Sequence, residues 1–285
     1  MVRTARAVLV VVVAAAVLAA SALMPRAYAA EKNPNVIVMD GSTTVGPLAK
    51  AFATYYMSKH PGVNVTVSES GSGNGAKSLV NNACDIANMS RFMKDTEFKD
   101  ALANGVMSVA TVVALDGVAI IVHPSNPVKN LTLDQVRDIY SGKVTNWKDV
   151  GGPDLQIVMS GRETSSGTYE VFGEKVMRGE KIAASAETVG SNGAMHQKVQ
   201  STQAGIGYVG LGFVDETVKA VTVNDIEATG ATVVSGKYPI ARPLFMFTNG
   251  YPEMGSNTYT FINLYLTRDG QAIVQQVGYI PVTNY

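Results

Sequence analysis

Five times along this chain an extended, apolar stretch breaks into a loop of Gly, Ser and Thr that runs directly into a helical pattern. The segments are "MDGSTTVGPLAKAF", "SESGSGNGAKSLV", "NMSRFMKDTEF", "SGRETSSGTYEVF" and "VGSNGAMHQKV". Repeated strand–loop–helix units restrict the chain to an α/β architecture and exclude all-β and bundle folds. Each loop also leaves the first N–H groups of its helix unpaired and places hydroxyls beside them. One such loop is ordinary helix capping. Several directed at one cleft would form an oxyanion site that needs few cations.

The remaining segments fit the same pattern. "NVIVMD" reads as a strand, and "PLAKAFATYYMSKH" as a helix with Ala49, Phe52, Ala53 and Tyr56 along one face. "ATVVALDGVAIIVHP" is a long β-branched run broken at Pro124, and "TLDQVRDIYSG" is a helix capped by Thr132 and stopped at Gly142. "LQIVMSG" and "AGIGYVGL" are further strands, and "SNTYTFINLYLTRDGQAIVQQVG" reads as a terminal helix. There is no repeat of fixed period and no low-complexity linker.

The N-terminus reads separately from the fold. Arg3 and Arg6 precede an apolar run, and "AYA" ends at Ala29. This order of charge, apolar run and small-x-small site predicts a signal peptide over residues 1–29, with a retained anchor as the alternative. The whole chain has 23 basic and 23 acidic residues. Without residues 1–29, which carry Arg3, Arg6 and Arg26 and no acid, 20 basic and 23 acidic residues remain, a net charge of −3. No basic run or basic–aromatic interleaving exists, which argues against nucleic acid as a partner. An anion has to be held by local groups. Cys84 is the single cysteine, so no internal disulfide forms, and its apolar surroundings predict a buried thiol.

The strongest chemical signal is "GRETSSGT". Arg162 offers a forked pair of donors matched to phosphate or carboxylate oxygens. Ser166, Gly167 and Thr168 add hydroxyls and amides at a helix start, and Glu163 either pairs with Arg162 or faces solvent. "GSTT" lacks the P-loop pattern, and "SGSGNG" lacks the dinucleotide spacing. No G-x-S-x-G elbow is present. His60, His123 and His196 have no partner at metal-ligand spacing, so neither a metal site nor an enzyme is expected, and no cofactor is implied. Trp147 and the aromatics of "YTFINLYL" are read as packing residues.

Taken in order, "GSTTVGPL", "SGSGNG", "DIANMSR", "ALDGVAIIVHPSNPV", "SGKVTNWKDVGG", "GRETSSGT", "GIGYVGLGFV" and "YPIARPLFMFTNG" resemble the phosphate-binding proteins of Pst-type ABC transporters. The resemblance runs from about Val36 to near the C-terminus. It implies a type II periplasmic-binding-protein fold of two α/β lobes joined by two crossing segments, near Asp116 to Ile121 and Lys237 to Arg242. One lobe would combine residues 33–116 with 239–285, and the other would be residues 117–238. It further implies an extracytoplasmic, monomeric protein that binds inorganic phosphate and passes it to membrane permease subunits. The alternatives are another tetrahedral oxyanion (sulfate, molybdate or tungstate) or a secreted phosphoesterase. Carried over by motif, the ligand set is Thr43, Thr44, Ser72, Ser90, Arg162, Ser166, Gly167 and Thr168. The family pattern has an aspartate in some members where this chain has Ser90, followed by Arg91. That substitution leaves Ser90, Asp40 and Asp116 as candidates to receive a ligand's proton.

Overall fold

The computed structural model describes residues 32–283; the signal-peptide reading falls outside them. Ten strands form one connected sheet in the order β2-β1-β3-β10-β4-β8-β6-β7, with β9 pairing β4 and β5. In chain order the N-terminal part is β1 (Val36–Gly41), α1 (Gly46–Lys59), β2 (Asn64–Val67), α2 (Ser72–Val80), β3 (Ile86–Met89) and α3 (Asp95–Ala103). The long β4 (Ser108–Val122) follows, then β5 (Asn130–Leu131), α4 (Leu133–Tyr140), β6 (Val158–Arg162) and α5 (Gly167–Phe172). The chain continues through β7 (Glu187–Val189), α6 (Asn192–Gln200), β8 (Gly205–Gly210), β9 (Lys219–Val223) and α7 (Gly230–Val234). It closes with β10 (Ala241–Asn249), α8 (Asn257–Ile262) and α9 (Arg268–Gln276).

The β-branched run that ends before Pro124 forms β4, which serves both halves of the sheet. Its first part, Ser108–Gly117, pairs antiparallel with β10, and Val118–Val122 pairs with β8 and β9. The hydrophobic residues divide accordingly. Ile37, Met39, Leu48, Phe52, Tyr56, Leu244, Met246 and Phe261 pack on one face of the β1–β10 half, and Leu79, Met89, Phe245 and Phe247 on the other. Ile120, Val136, Trp147, Phe172, Tyr208 and Tyr238 form the largest cluster of the β8–β6 half. Trp147 is fully buried and donates its indole N–H to Ala204 O at 3.0 Å. Cys84 is buried.

The C-terminal segment differs from its sequence pattern. Instead of one helix it forms α8, a 3-10 turn at Asn263–Leu266, and α9, with Thr267 capping α9 through a bond from Gly270 N–H. Gly270 lies so close to the Leu264 carbonyl that any side chain there would collide with it. The apolar period spans the break, but the backbone turns at a capping residue. No helix among the described residues is long and apolar enough to cross a membrane.

β1 pairs parallel with β2 on one side and β3 on the other, so the connection after β1 runs one way across the sheet and the connection after β2 runs back past β1 to β3. Loops at the carboxyl ends of strands around such a switch point are where open α/β sheets hold ligands. Here they are the loops after β1, β3 and β6.

Candidate functional site

The loop after β1 supplies the first wall. Ser42 Oγ accepts from the N–H groups of Thr44 and Val45 at 3.1 and 3.3 Å, which anchors the start of α1. Tyr279 Oη donates to Thr44 O at 2.6 Å from below. Thr43 and Thr44 are thereby held at the start of α1, and both residues are buried.

The loop before α2 comes next. Gly71 has φ +100°, a conformation open to glycine and strained for other residues. Its turn brings Ser72 beside Ser90 at the end of β3. Ser90 N–H donates to Ser72 Oγ at 3.1 Å, and the two hydroxyl oxygens are 3.3 Å apart.

From the other half of the sheet, β6 delivers Arg162 and α5 begins at Gly167. Ser166 is the N-cap of α5, accepting from Tyr169 N–H at 3.3 Å. Gly167 allows the closest approach: a Cβ built there would lie 2.4 Å from Ser72 Oγ and 2.7 Å from Ser90 Oγ. Thr168 Oγ1 lies 3.0 Å from Thr44 Oγ1. Gly73 N–H donates to Ser165 O at 2.9 Å. Seven of the eight residues singled out from the sequence therefore meet across one buried seam, and Ser166 is buried next to Gly167 as the cap of α5.

The structure adds two residues that motif reading did not select for the site, Asn192 and Arg242, and places Asp116, a candidate from the sequence, beside them. Asn192, the first residue of α6, donates from Nδ2 to Thr43 and Thr44 Oγ1 at 3.1 and 2.9 Å. Arg242, in β10, donates to Thr168 Oγ1 at 3.0 Å and to Thr44 Oγ1 at 3.3 Å. Asp116, in β4, accepts from Arg242 Nε and Nη2 at 2.9 and 2.8 Å. Burial pushes the Asp116 carboxyl up, while Arg242 and the N–H groups of Leu211 and Gly117 pull it back part of the way. A charged residue inside each of the apolar runs "VALDGVAII" and "PIARPLFMF" was the available signal, since an unpaired charge does not survive in a sheet interior.

Arg162 stands differently. It donates to Thr43 Oγ1 at 3.0 Å and to the carbonyls of Val189 and Gly190, both at 3.2 Å. Its Nη1 finds no hydrogen-bond partner among the described residues, although it is buried. Glu163 is exposed. Burial lowers the guanidinium to about 10; Tyr208 and Glu163 oppose this and the neighbouring Arg242 adds to it. Among the described residues, two arginines and one carboxylate, Asp116, thus share the buried seam, which leaves one positive charge in excess.

Asp40, the other acid near the switch point, accepts from the hydroxyls of Ser70, at 2.7 Å, and Ser78. It fastens β1 to α2.

At the rim, Arg91 is gripped by Glu97 through two bonds of 2.7 Å from the same side of the seam. Its Nε lies 2.8 Å from Glu170 Oε2 on α5, and Lys94 Nζ lies 3.0 Å from the same oxygen. These ion pairs bridge the seam just outside the hydroxyl cluster. A depression of about 580 Å³ adjoins Arg162, lined by Thr164, Ser165, Tyr169, Ile182 and Thr188 among others. It flanks the seam, since none of Thr43, Ser72 or Ser90 faces it. Among the described residues no group of three or more His, Cys, Asp or Glu is placed to hold a metal ion.

Comparison with known proteins gives this arrangement a context. Residues 28–267 match the PBP superfamily domain. The phosphate-binding protein PstS of Staphylococcus saprophyticus is 35% identical over 262 residues, covering 88% of this chain and 82% of that protein. Protein SphX of Synechococcus elongatus is 30% identical over 278 residues, covering 92% of this chain and 82% of its own length. Among solved structures, a putative phosphate ABC transporter substrate-binding protein from Clostridium perfringens, crystallised with bound phosphate, superposes with a TM-score of 0.81. It is 34% identical and covers 87% of this chain and 100% of its own. The chain belongs to the PBP superfamily, and within it to the family of the PstS phosphate-binding proteins.

Proposed function

We propose that this protein captures inorganic phosphate outside the cytoplasm and delivers it to the permease subunits of an ABC importer. The observation that carries the reading is Arg162: a buried guanidinium with an unpartnered Nη1, among hydroxyls from both halves of the sheet. A buried cation without a counterion is costly, and a bound oxyanion removes that cost. Charge-assisted bonds to a dehydrated anion are about twice as strong as neutral ones.

The ligand set in this reading is Thr43, Thr44, Ser72, Ser90, Arg162, Ser166, Gly167 and Thr168. The lobes are residues 33–116 with 239–285, and 117–238, with β4 and the approach to β10 as the crossings. Phosphate binds while the lobes are apart, and closure brings Thr44 to Thr168 and Arg91 to Glu170. The protein acts as a monomer, without a chemical step or a cofactor.

Calorimetric titration of anion-free protein with inorganic phosphate tests this reading. Saturable one-to-one binding that is lost in Arg162→Met supports it. Absence of phosphate binding, or full affinity in that variant, overturns it.

A further inference from the structure

We propose that the C-terminal segment 278–282 straps the two lobes together at the hinge and that its Tyr279 positions Thr44 for the bound anion. The proposal rests on the phosphate and two-lobe readings of the protein.

A glycine turn starts the segment. α9 ends at Gln276, and Gly278 follows with φ +88°. Gly278 N–H donates to Gln275 O at 3.0 Å, and Tyr279 N–H reaches back to Val274 O at 3.1 Å. Such a crossed pair of bonds around a left-handed glycine ends a helix and turns the chain aside. The chain then runs beside β4, where Leu115 and Ile280 exchange both backbone bonds, at 2.9 and 3.0 Å. Leu115 directly precedes Asp116, at which the first crossing begins. Val282 N–H donates to Gln271 Oε1 at 3.0 Å and ties the segment back to α9. A third length of chain thus lies beside the first crossing.

Successive residues of an extended segment point to opposite sides, and here the two sides lead into different cores. Tyr279 belongs to the cluster of Ile37, Phe52 and Phe261 in the β1–β10 half. Ile280 packs against the cluster of Val118, Tyr238 and Ile240 in the β8–β6 half. Two adjacent residues thus hold one lobe each.

Tyr279 also reaches the ligand loop. Its hydroxyl donates to Thr44 O at 2.6 Å, and the Thr44 hydroxyl meets that of Thr168 across the seam at 3.0 Å. Its ring lies against the 3-10 turn Leu211–Phe213 that follows β8. A Cβ built on Gly212, in that turn, would stand 2.8 Å from the ring's Cζ and 2.7 Å from Val277 O. Leu211 N–H is fixed on Asp116 Oδ1 at 2.9 Å. One buried ring therefore joins a turn of the second lobe to the carbonyl that holds Thr44. Packing this close transmits displacement rather than absorbing it. Thr44 comes to its place against Thr168 when the turn is seated on the ring, so the segment favours the shut form and slows release of the anion.

The test uses inorganic phosphate, with calorimetry for affinity and a chase of radiolabelled by unlabelled phosphate for the release rate. Tyr279→Phe keeps the ring and removes one hydrogen bond. It is expected to weaken affinity about tenfold and to speed release by the same factor. Ile280→Ala, at the other end of the strap, is expected to speed release about threefold. In Thr44→Val, which lacks the positioned hydroxyl, adding Tyr279→Phe should change release by less than about twofold. Residues that only fill their cores would lower the unfolding midpoint and leave release unchanged. That outcome, or an equal effect of Tyr279→Phe with and without the Thr44 hydroxyl, overturns the proposal while leaving the phosphate site standing. Where Thr44→Val retains no phosphate, the release rates of the two single variants decide. Wild-type protein that binds no phosphate overturns the phosphate reading itself.

Discussion

Arg162 and Arg242 are buried to nearly the same degree, 3% and 4% exposed, and both donate to the threonines of one seam. Their surroundings differ in one respect. Arg242 rests on Asp116 through two short bonds, whereas Arg162 rests on neutral oxygens and keeps one nitrogen unpartnered among the described residues. The first is a charge built into the fold and the second is a charge held for something else. Burial alone does not separate structural from functional cations; the presence of a counterion does.

The widest break in this comparison comes from removing the counterion. Asp116→Asn strands the Arg242 charge in the interior and is expected to cost about 3 to 5 kcal/mol of stability, read from denaturant unfolding without ligand. Arg162→Met works in reverse. It should weaken phosphate about a hundredfold or more in calorimetry, yet leave the unliganded melting temperature equal or higher, because it removes an uncompensated charge. A large loss of unliganded stability in Arg162→Met would place the two arginines in one class.

Glu170→Gln sharpens the comparison at the rim. Arg91 keeps Glu97 when Glu170 is neutralised, so only the bridge across the seam weakens. An effect of about 1 kcal/mol on phosphate affinity is expected, with a shallower dependence on salt. The smallest effect is on pH. Because the Arg162 guanidinium is lowered to about 10 in the unliganded fold, the unfolded chain binds its proton more tightly. This group therefore destabilises the unliganded protein fully below that pH, and the penalty fades as pH rises through about 10. The melting-temperature gap between unliganded Arg162→Met and wild type should stay constant up to about pH 10 and narrow as pH is raised beyond it. A gap that widens would reverse the assignment.

Much of this was legible from local signals. Thr43, Ser72, Arg162 and Ser166 lie in or at the edges of loops whose composition shows a helix start, and each loop is read within a dozen residues. Asn192 and Arg242 were not assigned to the site, because their meaning lies in Thr44, which is far from both in sequence. Asp116 and Arg242 are each an isolated charge in an apolar strand. Either one predicts a partner of opposite sign, but only the pairing of β4 with β10 identifies it. The break at Thr267 was hidden for another reason: the helical period continues across it, and only the approach of Gly270 to Leu264 reveals the turn.

Gly167 sets a tolerance for the whole molecule. A Cβ built on Gly167 would lie 2.4 and 2.7 Å from the Ser72 and Ser90 hydroxyl oxygens, nearer than a carbon atom can sit. A methyl group there would act as a doorstop, holding the halves apart by about its own thickness and keeping the hydroxyls from converging, with no charge or hydrogen bond removed. Across more than two hundred residues, the dimension that decides whether the seam can shut is one that a single carbon atom would exceed.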